Sequence, residues 1–185
     1  MGEINYMSIK KTRTIAILGI FIISFLAHFM YNLFPNVITS FFFPVNESIW
    51  EHMKILFTST LIYGIIDYVL MKRFNIKFNN LILELFITAF LSVVIYLIIY
   101  IPLYLLVGEN FIIAISLMLI TYIITKYIGY FILIQKEYRF LNIISIFLIV
   151  ICYFIFIYLT YNPIHNFIFY DIVDSKYGIR EYVIE

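Results

Sequence analysis

The sequence predicts an all-α fold, a polytopic transmembrane helical bundle of about five spans. Of the 185 residues, 64% are hydrophobic and only 12% are charged, which is more apolar surface than a soluble domain of this length can bury. The mean hydropathy is +1.03. The apolar residues form long runs, each close to the roughly 20 residues that cross a hydrocarbon core.

The five predicted spans are separated by residues that end helices. Pro102 and Gly108 lie in the third connection, and Pro163 follows the last run. We therefore predict one transmembrane domain over residues 1–160 and a C-terminal segment over residues 161–185 that packs on its outer face. The predicted spans cover residues 14–33, 48–71, 81–101, 110–134 and 140–160.

Basic residues predict the direction of the chain in the membrane. Eight of them precede the first span or follow the second and fourth spans: Lys10, Lys11, Arg13, Lys72, Arg73, Lys77, Lys136 and Arg139. The connections at 34–47 and 102–109 carry none. By the positive-inside rule the N-terminus is cytoplasmic, and five spans place the C-terminal tail outside. We expect a multi-pass protein of the cell membrane whose surroundings are the lipid bilayer.

Ionisable residues gather on the predicted outer side, where all three histidines of the chain fall. The candidate ligand-binding residues of this outer pocket are His28, Tyr31, Asn46, Glu47, Glu51, His52, Lys54, His165 and Asp171. Histidines and carboxylates that converge can bind a divalent metal or exchange protons. A divalent metal is therefore a candidate cofactor. Its candidate ligands are His28, Glu47 or Glu51, His52 and His165.

The alternative for this segment is structural. Ser48 and Glu51 have the spacing of a capping box, in which each side chain satisfies a backbone N–H at the start of a helix. Trp50 suits a membrane interface, and Lys54 can pair with the carboxylates. Under this interpretation the polar residues begin and anchor the second span without binding a ligand.

An inner polar cluster is predicted from Asp67, Glu84 and Lys126. A charged side chain in mid-membrane costs about 2.5–3.5 kcal/mol on insertion scales, so we expect Lys126 to pair with Asp67 or Glu84. Polar residues recur every four positions along the third span, through Tyr96 and Tyr100. These groups serve either as bonds between helices or as a hydrated path that leads to the outer cluster.

Two segments carry a family resemblance. PVNESIWEHMKILF at 44–57 and NPIHNFIFYDIVDSKYGI at 162–179, together with the His28-x-x-Tyr31 pair, resemble an uncharacterised bacterial membrane family, domain of unknown function 6512. The resemblance implies that the outer layer and the tail form one unit, and it implies no activity. The signature positions that it implies are Asn46, Glu47, Ser48, Trp50, Glu51, His52, Lys54, His165, Asp171, Tyr177 and Gly178.

Several function classes are disfavoured by the sequence. A net charge of +1 indicates no nucleic-acid partner, and a Gly-rich phosphate loop and a nucleophile elbow are both lacking. We predict binding or transport of a small polar solute, an ion or a lipid headgroup at an outward-facing polar pocket. The alternatives are a metal-dependent membrane hydrolase and a structural or accessory subunit of a partner membrane protein. No catalytic residue is assigned, and whether the chain is an enzyme stays open.

Overall fold

The computed structural model describes residues 6–179 and 181–182, and it confirms the predicted all-α class. Five of the helices in this part of the chain are long and apolar enough to cross a membrane, and only α2 is too short. The elements are α1 Tyr6–Leu33, α2 Val37–Phe42, α3 Ile49–Arg73, α4 Leu81–Val107, α5 Phe111–Leu133, α6 Arg139–Tyr161, β1 Tyr170–Asp171, β2 Lys176–Tyr177 and β3 Glu181–Tyr182.

Two helices extend beyond the predicted spans by more than one turn. The first begins at Tyr6 rather than near residue 14, because lysine and arginine favour a helix interior and continue the helix ahead of the apolar run. The fourth continues through Pro102 to Val107. Pro102 removes one backbone hydrogen bond, but leaving the next turn unpaired among lipid would cost more. That helix ends at Gly108, where φ is +74°.

The connection between the first two spans also holds a helix that the sequence did not predict. Helix α2 begins after Asn36, whose side chain accepts a hydrogen bond from the backbone of Thr39 at 3.0 Å. The hydroxyl of Thr39 accepts one in return from the backbone of Asn36 at 3.1 Å. This reciprocal capping box stabilises a helix of only six residues.

The five long helices alternate in direction, so the connections between them divide between two ends of the bundle. We call the end that carries the 34–48 connection and the C-terminal segment the tail end, and the opposite end the basic end. Helix α3 is the most buried of the five. It packs against α1 and α4, while α5 packs against α1 and α4, and α6 packs against α4. The core between them includes Met53, Phe57 and Tyr122.

The C-terminal segment packs on the start of α3. Its three strands form a small antiparallel sheet in the order β1-β2-β3. The ring of Trp50 stacks on Phe169 with centroids 4.9 Å apart, and its backbone N–H donates to the carbonyl of Ile168 at 2.9 Å. The C-terminal segment therefore contacts the start of α3 directly. Residues 1–5, 180 and 183–185 of the two predicted regions lie outside the described residues.

Candidate metal-binding cavity at the tail end

The segment before α3 is held by its own side chains and backbone. Ser48 is the N-cap of the helix and accepts a hydrogen bond from the backbone of Glu51 at 3.3 Å. Asn46 in turn accepts one from the backbone of Ser48 at 2.9 Å. The predicted capping box is only half formed, because the carboxylate of Glu51 accepts from the backbone of Val45 instead. The cap fixes where the helix begins, and Glu47 consequently precedes it.

Glu47 meets both histidines of the neighbouring helices. Its Oε2 lies 3.4 Å from Nε2 of His52 and 3.8 Å from Nε2 of His28. One ligand atom from each of the three residues lies within 4.8 Å of the others. We call these three residues the histidine–glutamate group. Within residues 6–179, no other three histidine, cysteine or acidic side chains have a spacing suited to one metal ion.

The protonation of the histidine–glutamate group is constrained by a backbone carbonyl. Nδ1 of His52 lies 2.9 Å from the carbonyl oxygen of Ser48, which can only accept, so Nδ1 carries the proton. Nε2 of His52 is then the atom available to Glu47 or to a metal. The hydrogen bond from His52 holds the pKa of Glu47 below its usual value, against the opposing effect of burial. Glu47 is therefore an anion at neutral pH.

The histidine–glutamate group lines a cavity of about 200 Å³. Helices α1, α3, α4 and α5 and the tail all contribute to its lining. Helix α4 presents Tyr96, Tyr100 and Tyr104, which lie one turn apart on one face. The rings of Tyr96 and Tyr100 stack with centroids 5.0 Å apart, and the ring of Tyr104 lies 6.0 Å from that of Tyr100 at a tilt of 42°. Aromatic and aliphatic side chains make up most of the rest. The charged part of the lining is the histidine–glutamate group together with Glu109.

Glu51 and Lys54 lie away from this cavity. They form a buried ion pair at 2.7 Å. Lys54 also donates to the carbonyl of Ser40 at 2.8 Å, and Glu51 accepts from the hydroxyl of Thr160 at 2.6 Å. These bonds connect the start of α3 to α2 and to the end of α6. The geometry thus assigns the pair a role in holding helices together.

The other predicted pocket residues are distributed around the site. Asn46 donates to the carbonyl of Gly178 at 2.9 Å, which ties the segment before α3 to the tail. His165 stacks on Tyr177 with centroids 4.5 Å apart, and Tyr31 is half-buried. Neither His165 nor Tyr31 is among the residues that line the cavity. Of the predicted metal ligands, the structure brings together His28, Glu47 and His52.

The inner polar cluster gains a fourth member. Lys126 lies 2.9 Å from Glu84, which is one of the two predicted pairings. Arg13 reaches both Asp67 and Glu84, and all four side chains are at most 5% exposed. The sequence placed Arg13 among the flanking basic residues, because its helix was predicted to begin after it. Two basic and two acidic side chains meet here, so the cluster has no net charge when all four are ionised.

The cavity is also lined by residues that the sequence did not assign to the pocket. Tyr96 and Tyr100 belonged to the predicted polar stripe, and Tyr104 continues it by the same four-residue spacing. That spacing could have identified Tyr104 had α4 been predicted to continue through Pro102. Glu109 follows Gly108 in a connection, where no periodicity indicates which way a side chain points.

Comparison with known proteins identifies a family. No curated protein and no solved structure matches the chain. A family of unknown function, DUF6512, matches residues 1–179. The match spans the five candidate membrane helices and both segments that carry the resemblance. These segments are the ones that contact each other at the tail end, through the Asn46 to Gly178 hydrogen bond. The chain belongs to the DUF6512 family.

Proposed function

We propose that this membrane protein binds a divalent transition-metal ion, zinc first, through His28, Glu47 and His52. The observation that carries the proposal is the convergence of three ligand atoms, from α1, α3 and the preceding segment, within 4.8 Å. Ligands about 2.0–2.2 Å from a tetrahedral zinc lie about 3.4 Å from one another. His52 and Glu47 already have that separation. His28, whose Nε2 lies 3.8 Å from Glu47, must move closer to complete the site.

The surroundings of the group favour a metal. The carbonyl of Ser48 orients the ring of His52, as the outer partners of metal-bound histidines do. Lys54, the nearest buried cation on α3, is engaged by Glu51. In the metal-free protein Nε2 of His52 can donate to Glu47 only when the ring carries a second proton, because Nδ1 already donates to Ser48. A divalent ion would displace that proton and take its place between His52 and Glu47. The ion, two neutral imidazoles and one carboxylate together then have a net charge of +1.

The proposal also states which side of the membrane the site faces. Most of the described basic residues outside the core, such as Lys72, Lys77 and Lys136, lie at the basic end. Lys176 lies in the tail, and the cavity lies at the tail end. Under the positive-inside rule the tail end faces out of the cytoplasm. The pocket then receives its ion from the exterior, in agreement with a role in binding or transport.

Metal analysis of the purified protein tests the proposal. The protein is stripped with a chelator, titrated with zinc, and compared with His28→Ala, His52→Ala and the control His165→Ala. We expect a single zinc per chain in wild type and in the control, and loss of that zinc in the other two variants. At a zinc concentration about 100 times Kd, binding adds about 2.7 kcal/mol to the stability of the wild type. Equal zinc binding by wild type and His52→Ala would overturn the proposal.

A metal-dependent hydrolase is a second candidate function. Two histidines and one glutamate are a set of three protein ligands of the kind that catalytic zinc sites use, with a fourth position for water or substrate. All three residues line the cavity, so that position faces open space. Zinc-dependent release of nitrophenol from a nitrophenyl ester or phosphate, absent in His52→Ala, would support hydrolysis. Zinc binding without any such release would count against it.

A further inference from the structure

The cavity has a mouth lined by exposed aromatic side chains. Phe25 and Phe29 of α1 and Phe111 of α5 belong to its lining and are also 37%, 52% and 72% exposed. The two helices are candidate membrane spans that pack against each other. Exposed aromatic residues on membrane-spanning helices face lipid or the interface. A ligand can therefore enter from the bilayer, between α1 and α5.

The same mouth has a polar side. Glu109 and Asn110 also line the cavity, and they are exposed at the tail end. The opening thus spans the boundary at which a lipid's headgroup meets its acyl chain. At about 200 Å³ the cavity is smaller than the roughly 300–1,000 Å³ of pockets that enclose a whole small molecule. It suits a headgroup whose chain stays outside, in the membrane.

The polar groups inside the cavity define the headgroup. With a divalent ion bound, the histidine–glutamate group carries a net charge of +1, so an anionic oxygen is the favoured fourth ligand. Tyr96 and Tyr100 are only 5% and 7% exposed and line the cavity. No hydrogen bond to a described residue engages either hydroxyl, so both can donate to a ligand. A phosphate has enough oxygens for the metal and for both tyrosines.

We infer that the cavity binds the phosphate headgroup of a membrane lipid, held between the metal and the hydroxyls of Tyr96 and Tyr100. This inference rests on the proposed metal site, and it names the ligand of that site. The lipid's chain leaves through the aromatic mouth between α1 and α5. Free phosphate would fill the polar part of the cavity and leave the exposed phenylalanines without a role.

The test uses the zinc-loaded full-length protein in neutral detergent and three probes. Lysophosphatidic acid has a phosphate and one acyl chain, monoacylglycerol has the same chain without phosphate, and glycerol 3-phosphate has no chain. Apparent affinities come from the shift in thermal unfolding. We expect lysophosphatidic acid to bind at least tenfold more tightly than either of the others. Tyr96→Phe and Tyr100→Phe each remove one hydrogen bond to a charged group. Each should weaken the binding of lysophosphatidic acid about tenfold or more.

Tyr158→Phe is the matched control. Tyr158 is an exposed tyrosine of α6 outside the cavity lining, and its loss should leave the affinity unchanged. Equal affinity for monoacylglycerol or for glycerol 3-phosphate would overturn the inference. Zinc binding without any preference for lysophosphatidic acid would also overturn the inference, but it would not contradict the proposed metal site. Tyrosine-dependent lipid binding in a protein that takes up no zinc would instead overturn the proposed function and support the lipid as ligand.

Discussion

The backbone N–H of Glu47 donates a hydrogen bond to Oδ2 of Asp171 at 3.1 Å, across 124 residues of chain. The other oxygen of Asp171 accepts from the backbone of Val173 and Asp174, at 2.8 and 3.1 Å. The fully buried carboxylate of Asp171 thus closes the turn of the tail and holds the backbone of Glu47, a proposed metal ligand. The tail therefore positions a ligand although it supplies none.

Asp171→Ala should weaken zinc binding although Asp171 is not a proposed ligand. The variant removes the acceptor that holds the backbone of Glu47, and loss of such outer partners typically costs about 10–100-fold in metal affinity. Competition with a chelator of known affinity measures the change. The control is Asp174→Ala, because Asp174 is exposed and pairs with Lys176. Unchanged affinity in Asp171→Ala would show that Glu47 is held without the tail.

Gly178→Ala should detach the tail from the bundle. Gly178 has φ +56°, and an added Cβ would lie 2.5 Å from the carbonyl oxygen of Thr160. The backbone strain alone costs about 1–3 kcal/mol, and the collision adds to it. We expect a lower unfolding temperature and faster proteolysis within the tail. Gly108→Ala is a control for backbone strain without a collision, because Gly108 has φ +74° and ψ −167° but no atom within 4 Å of the added Cβ. Proteolysis within the tail that is no faster in Gly178→Ala than in Gly108→Ala would contradict the role of this close approach.

The fold could be predicted because its signal is repeated along the chain. Each span is an apolar run of the length that a membrane requires, and packing details do not alter that requirement. The ends of the helices were harder to place. Basic residues continue α1 beyond its apolar run, and α4 passes through Pro102. Hydropathy predicts neither extension, because both depend on local backbone energies.

The candidate site was only partly predictable, and the reason lies at one helix boundary. Glu47 and Glu51 are four residues apart, which would place them on one face of a helix. Because Ser48 caps that helix, Glu47 precedes it and reaches the two histidines, while Glu51 reaches Lys54. His165 lies in an irregular segment, so no periodicity predicts its direction, and it stacks on Tyr177 instead.

Lys126→Met should destabilise the bundle strongly. It removes one cation from a neutral buried cluster and leaves Asp67 and Glu84 to share Arg13. Breaking a buried ion pair in this way costs about 3–5 kcal/mol. Reversible unfolding in mixed micelles measures the change in the free energy of unfolding.

A second substitution separates charge from packing. Glu84→Gln in the Lys126→Met background restores neutrality, so the double variant should recover part of the loss, and the coupling energy follows from the full cycle. Lys72→Met serves as the control, because Lys72 is exposed at the same end and such surface changes stay within about 0.5 kcal/mol. If Lys126→Met costs no more than this control, the cluster contributes little to stability.

The direction of the chain can be tested with single cysteines. In a Cys152→Ser background, Val173→Cys places a thiol in the exposed part of the tail, and Lys77→Cys places one at the basic end. Because basic residues are retained on the cytoplasmic side, a membrane-impermeant maleimide should label Val173→Cys in intact cells. It should label Lys77→Cys only after the membrane is disrupted. The reverse pattern would place the cavity on the cytoplasmic side, where its metal would come from the cell interior.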